Sequence, residues 1–103
     1  MKVATSEIRE AVMEIKRSIE VSNKYGLHAR ASTRLAQVAK AFRSTIMLSR
    51  PEDEDEVDAK SILGILTLGV AKGQCLQIRV SGEDAEQAMD AVIALVEGKF
   101  DEE

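Results

Sequence analysis

Gly26-Leu27-His28-Ala29-Arg30-Ala31-Ser32-Thr33 is the stretch from which the fold of this 103-residue chain is read, and it holds the only histidine. Upstream, Ser18-Ile19-Glu20-Val21-Ser22 alternates polar and apolar side chains, the period of a half-buried strand expected over residues 17–22. Asn23 to Gly26 supply turn residues. Downstream, Leu35, Val38, Ala39 and Phe42 recur at helical spacing, which predicts an amphipathic helix over residues 29–42. His28 therefore stands where a strand gives way to a helix.

That place has chemical content. The first N–H groups of a helix lack internal partners, and the macrodipole puts about half a positive charge there. The cap position falls on or near His28, a residue type that caps poorly. Ala29, Arg30 and Ala31 bring neither a carboxylate nor a hydroxyl. The free amides suit an external anion, and Arg30 adds a guanidinium beside them. A histidine next to an anion site suggests a phosphoryl acceptor. On these local grounds alone, a partly exposed structural histidine at a turn is the plainer reading.

Outward from this junction the alternation returns. Residues 44–50 put Ile46 and Leu48 on one face, and residues 75–81 do the same with Leu76, Ile78 and Val80. A short strand is expected around Glu56 to Lys60. Pro51 ends the second strand, and Glu52, Asp53, Glu54, Asp55, Glu56 and Asp58 read as a solvated, charged turn that discourages edge pairing. Ser61-Ile62-Leu63-Gly64-Ile65-Leu66-Thr67-Leu68 reads as a short apolar helix capped by Ser61, followed by a turn between Gly69 and Gly73. Ser81-Gly82-Glu83-Asp84 has the spacing of a capping box before a helix reaching about Glu97. Ala88, Val92, Leu95 and Val96 form its inner face, and Gly98 ends it. Residues 1–16, with Ile8, Val12 and Ile15 one turn apart and Ser6 as cap, are expected to form an appended docking or self-association helix. Residues 101–103 read as an acidic tail.

The expected order is β-α-β-β-α-β-α behind an N-terminal helix. One apolar face per strand and one stripe per helix make this a two-layer α+β domain, with helices on one face of an antiparallel sheet. With aromatics at 3%, the core must be built from Ile, Leu, Val, Ala and Met. The net charge of −4 argues against general nucleic-acid binding. Lys24, Arg30, Arg34, Lys40 and Arg43 nevertheless cluster around His28, a basic face suited to an acidic protein partner or a phosphate. One cysteine and one histidine exclude an internal disulfide and a multi-ligand Cys/His metal site, and no cofactor motif is present. No apolar run is long enough for membrane insertion and no signal-peptide pattern is seen, so the chain is expected to be cytoplasmic.

Two motifs in this order carry a resemblance. Gly26-Leu27-His28-Ala29-Arg30, and Lys60-Ser61-Ile62-Leu63-Gly64 continued by Leu66-Thr67-Leu68-Gly69, resemble the HPr family over residues 17–100. These are the histidine-containing phosphocarriers of the phosphoenolpyruvate-dependent phosphotransferase system. The resemblance implies an open-faced β-sandwich with a four-stranded antiparallel sheet. It implies that His28 takes a phosphoryl group on Nδ1 from enzyme I and passes it to an enzyme IIA-type receiver, with Arg30 neutralising the phosphate. Ser61 matches the serine that HPr kinase/phosphorylase modifies in many relatives. Ile62, Leu63 and Leu66 match an apolar docking patch, and Ala29, Arg34 and Lys40 positions that meet partners. Such a protein carries phosphate rather than acting as a free-standing enzyme. A second reading makes the chain mainly a regulatory binding module, switched by phosphorylation of Ser61, with little role in sugar transport. Ala31 stands where the family usually has proline, and Leu63 and Leu66 stand where relatives often have methionine.

Overall fold

The structure, a computed structural model, describes residues 13–102. Strict alternation in Cys75–Ser81 makes β4 the centre of the sheet: Leu76, Ile78 and Val80 are wholly buried. It lies between β1 (Glu14–Glu20) and β2 (Thr45–Ser49), and the two-residue β3 (Val57–Asp58) completes the antiparallel order β1-β4-β2-β3. The register sets Ile19 opposite Leu76, Ile15 and Ile46 opposite Val80, and Leu48 opposite Ile78. Directly opposed residues share a face, so three strands present one apolar surface. Helices α1 (Ala29–Lys40), α2 (Ile62–Leu68) and α3 (Ala85–Glu97) cover it. Leu35 and Ala39, Ile65, and Ala88, Met89, Val92 and Val96 are their buried contributions. The expected α+β order is thus present from β1 onward.

The first strand begins earlier than expected. Glu14, Ile15 and Lys16, assigned by their spacing to an appended helix, belong to β1. Ile15 and Ile19 are four residues apart, which is one helical turn and also two strand periods. Pairing with Val80 and Leu76 resolves the ambiguity in favour of the strand. Residues 1–12, with the expected cap Ser6, lie outside the described residues, as does Glu103.

The acidic run is solvated through Glu52–Asp55 but is tied at both sides. Glu52 pairs with Arg50 at 3.0 Å, and Glu56 takes a two-pronged contact from Arg79 at 2.7 and 2.8 Å. The guanidinium holds the Glu56 carboxyl below the usual carboxylate range.

The capping box before α3 does not form. Ser81 is the last residue of β4, and the side chain of Asp84, at the cap position, makes no bond to its own helix. Its carboxylate instead accepts from the Ser44 hydroxyl at 2.5 Å and from the Ser44 and Arg43 N–H groups at 2.9 Å each. Three donors converging from the α1–β2 connection outcompete one amide of its own helix, and they hold the Asp84 carboxyl below its ordinary value, the hydroxyl contributing most.

Gly98 ends α3, as expected, but is itself right-handed (φ −81°). Lys99, Phe100 and Asp101 then take φ of 56°, 57° and 61° in succession. Left-handed backbone costs a non-glycine residue roughly 1–2 kcal/mol. Phe100, 1% exposed, is the largest wholly buried side chain, and burying a phenyl ring returns roughly 1.5–3 kcal/mol. The core is therefore not purely aliphatic. Its one large aromatic anchors a strained turn that folds the C-terminal residues back over the end of α1.

Candidate functional site

The loop before α1 is held by backbone. Gly26 sits at φ +64°, and a Cβ there would lie 2.5 Å from Val70 O, so the close approach requires glycine. Leu27 N–H donates to Val70 O at 3.0 Å, and His28 N–H to Gly26 O at 2.9 Å. These bonds lay the histidine loop against the residues that follow α2, and so join the two sequence motifs in space.

His28 is the N-cap of α1, with extended backbone (φ −78°, ψ −176°). Its ring does the capping that its residue type argued against: Nδ1 accepts from Arg30 N–H at 3.3 Å. The imidazole stands edge-on to exposed Tyr25, centroids 5.9 Å apart. Arg30 is exposed and forms no ion pair among the described residues. Ala29, also exposed, and buried Ala31 lie in the same first turn, whose N–H groups point out of the helix end. Tyr25, His28, Ala29, Arg30 and Glu102 line a shallow, open depression of about 510 Å³. Its floor offers imidazole, amide and guanidinium, groups that suit an anion presented by another molecule.

One residue in this depression escaped the sequence reading. Glu102, read from the sequence only as part of an acidic tail, is a wall of the site: Oε2 lies 2.5 Å from His28 Nε2. Oε1 accepts from Asn23 Nδ2 at 3.1 Å, and the same amide group donates to Gly26 O at 2.8 Å. Asn23 is wholly buried, and its Oδ1 has no partner among the described residues. No local signal marks this contact, which spans 74 positions.

Of the remaining expected site residues, Arg34 is drawn to the C-terminal turn by an ion pair with Asp101, and Lys40 is exposed at the end of α1. Ser61 caps α2 as expected: its Oγ accepts from Gly64 N–H at 2.9 Å. Ile62, Leu63 and Leu66 are 38%, 71% and 37% exposed, an apolar face without a cover among the described residues. No grouping of described residues could hold a metal ion, and no helix among them is long and apolar enough to cross a membrane.

A family model described as the PTS HPr component phosphorylation site matches residues 15–98. The chain is 40% identical over 88 residues to phosphocarrier protein HPr of Neisseria meningitidis, covering 85% of this chain and 97% of that one. It is also 40% identical over 89 residues to phosphocarrier protein NPr of Shewanella violacea, covering 86% and 96%. The crystal structure of HPr-C-His from Thermoanaerobacter tengcongensis superposes with a TM-score of 0.80 at 42% identity, covering 86% of this chain and 98% of that one.

Proposed function

Since the chain belongs to the HPr family of phosphocarriers of the phosphotransferase system, we propose that His28 is the residue that carries the phosphoryl group, on Nδ1. One observation carries this reading. The Nδ1 of a half-exposed imidazole is turned towards the first-turn amide of α1, beside the exposed Arg30 guanidinium. A phosphoryl group on Nδ1 takes over that amide as a donor, with Arg30 neutralising its charge. The carrier must also release what it holds. Uniformly tight binding would trap the phosphate, and an open depression with one guanidinium and a few amides avoids that trap. Transfer then depends on in-line positioning and electrostatics supplied jointly with the partner.

Enzyme I is the donor in this reading and an enzyme IIA-type protein the receiver. The exposed face of Ile62, Leu63 and Leu66 supplies transient apolar docking, and Ala29, Arg34 and Lys40 lie on the surface that meets an acidic partner. Ser61 is the regulatory position, as a target of HPr kinase/phosphorylase. Its Oγ is at a helix start, where phosphate charge is favourable, and it borders the docking face. Modification there would act chiefly by altering the surface that partners touch.

The test is incubation with enzyme I and labelled phosphoenolpyruvate. The expected product is an acid-labile, base-stable adduct that disappears in His28→Ala. Label that persists in that variant would refute the assignment of His28.

A further inference from the structure

We infer that Glu102 is the positioning residue of the carrier histidine: it holds the proton on Nε2 and so leaves Nδ1 as the nucleophilic nitrogen. This deepens the carrier reading and rests on it. A carboxylate has only acceptors to offer, so a 2.5 Å contact with Nε2 requires that nitrogen to carry the hydrogen. The neutral ring then has its lone pair on Nδ1, where Arg30 N–H lies 3.3 Å away. Both ring nitrogens are accounted for, and each partner selects the same tautomer.

The carboxylate is held as well as placed. Glu102 is only 12% exposed in its side chain, and Asn23 Nδ2 fixes its second oxygen. The left-handed run Lys99–Asp101, anchored by buried Phe100, brings it there. Strained backbone that delivers a charged group to a nucleophile's second nitrogen is a placement the core sustains.

The group-transfer step gives this contact its use. The Nδ1 lone pair attacks phosphorus and forms the N–P bond. The bond from phosphorus to the donor atom of enzyme I breaks, and its electron pair stays on that atom. The Nε2 proton does not leave, so positive charge appears on the imidazole ring directly against the Glu102 carboxylate. On discharge to the receiver the N–P pair returns to Nδ1, and a neutral imidazole, a good leaving group, is left with its proton still on Nε2. Glu102 thus serves loading and unloading alike, without touching the phosphoryl group.

The test uses the full chain labelled with ¹⁵N-histidine. In the unphosphorylated wild type, ring-nitrogen spectra should place the proton of the neutral ring on Nε2 and leave Nδ1 bare. Glu102→Ala should give a mixture of tautomers while the amide spectrum elsewhere stays unchanged. Glu102→Gln, which can accept the same bond without the charge, should keep the tautomer but lower kcat for transfer from enzyme I about tenfold, the difference between a charged and a neutral hydrogen bond, with KM unmoved. An unaltered tautomer in Glu102→Ala, or a Glu102→Gln rate within about twofold of wild type, overturns the proposal. The tautomer is read without phosphate. A wild type that takes no label from enzyme I would therefore overturn the carrier reading separately from the claim about the proton.

Discussion

Asn23 and Glu102 meet across 79 positions: the Asn23 amide, wholly buried, donates from Nδ2 to Glu102 Oε1 at 3.1 Å. The same amide secures Gly26 O, so one side chain ties the histidine loop to the C-terminal turn. Asn23→Asp keeps the shape, removes both donated bonds and sets two carboxylates against each other. Chemical denaturation should show a loss of about 1–3 kcal/mol. Asn23→Ala, which removes the donor without adding charge, should lose less. Equal losses would mean that the Glu102 charge is not felt at position 23.

Ser61 joins a structural role to the proposed regulatory one. Its Oγ caps α2 through Gly64 N–H, so Ser61→Ala should cost about 0.5–2 kcal/mol in urea denaturation. Aspartate caps as well as serine, so Ser61→Asp should retain wild-type stability while adding charge beside the docking face. If Ser61→Asp also weakens binding to enzyme I, the charge acts on the surface and not on the fold.

Gly26 carries a steric demand. With φ +64° and its missing Cβ aimed at Val70 O and Ala71 Cα, Gly26→Ala should destabilise by at least about 2 kcal/mol. The loop must move away from the turn after α2, so the His28 ring signals should shift even where the fold survives. An alanine variant with unchanged stability and ring signals would contradict this packing.

Asp84 should give the fold a visible acid limb. Its folded carboxyl lies below the ordinary value because the Ser44 hydroxyl and the Ser44 and Arg43 amides stabilise the charged form. The resulting stability is fully present above the unfolded value of about 3.9 and is lost as pH falls through the lower folded value. Asp84→Asn should therefore unfold at lower urea than wild type near neutral pH, and the gap should narrow at about pH 3. Glu56, held low by Arg79, fades in the same window and is common to both proteins. A gap independent of pH would show that Asp84 acts by shape and not by charge.

Leu63 is 71% exposed and contributes no core volume. Leu63→Asp should leave stability within about 0.5 kcal/mol of wild type. If α2 is the docking face, the same change should weaken affinity for enzyme I about tenfold or more in a titration. Unchanged affinity would move the docking surface elsewhere.

Much of this molecule is legible locally. β4 follows from strict alternation over Cys75–Ser81, α2 from an apolar run behind Ser61, and the place of His28 from a strand, a turn and a helix in succession. Each depends on residues close in the chain, where period and capping chemistry act. The start of β1 was ambiguous because Ile15 and Ile19 satisfy both periods, and a partner strand was needed to choose between them. The capping box at Ser81–Asp84 was a valid local pattern, but donors from Arg43 and Ser44 outweighed it.

The same division runs through the site. Sequence alone determined the candidate carrier, His28, through the resemblance borne by two motifs, and the cation beside it, because Arg30 follows two positions later at the helix start. Only the tertiary structure decided that an acidic tail becomes a wall of that site. Glu102 reaches His28 because buried Phe100 anchors a run of three left-handed residues and offsets part of their strain, and the balance between core packing and backbone strain is set by contacts far apart in the chain.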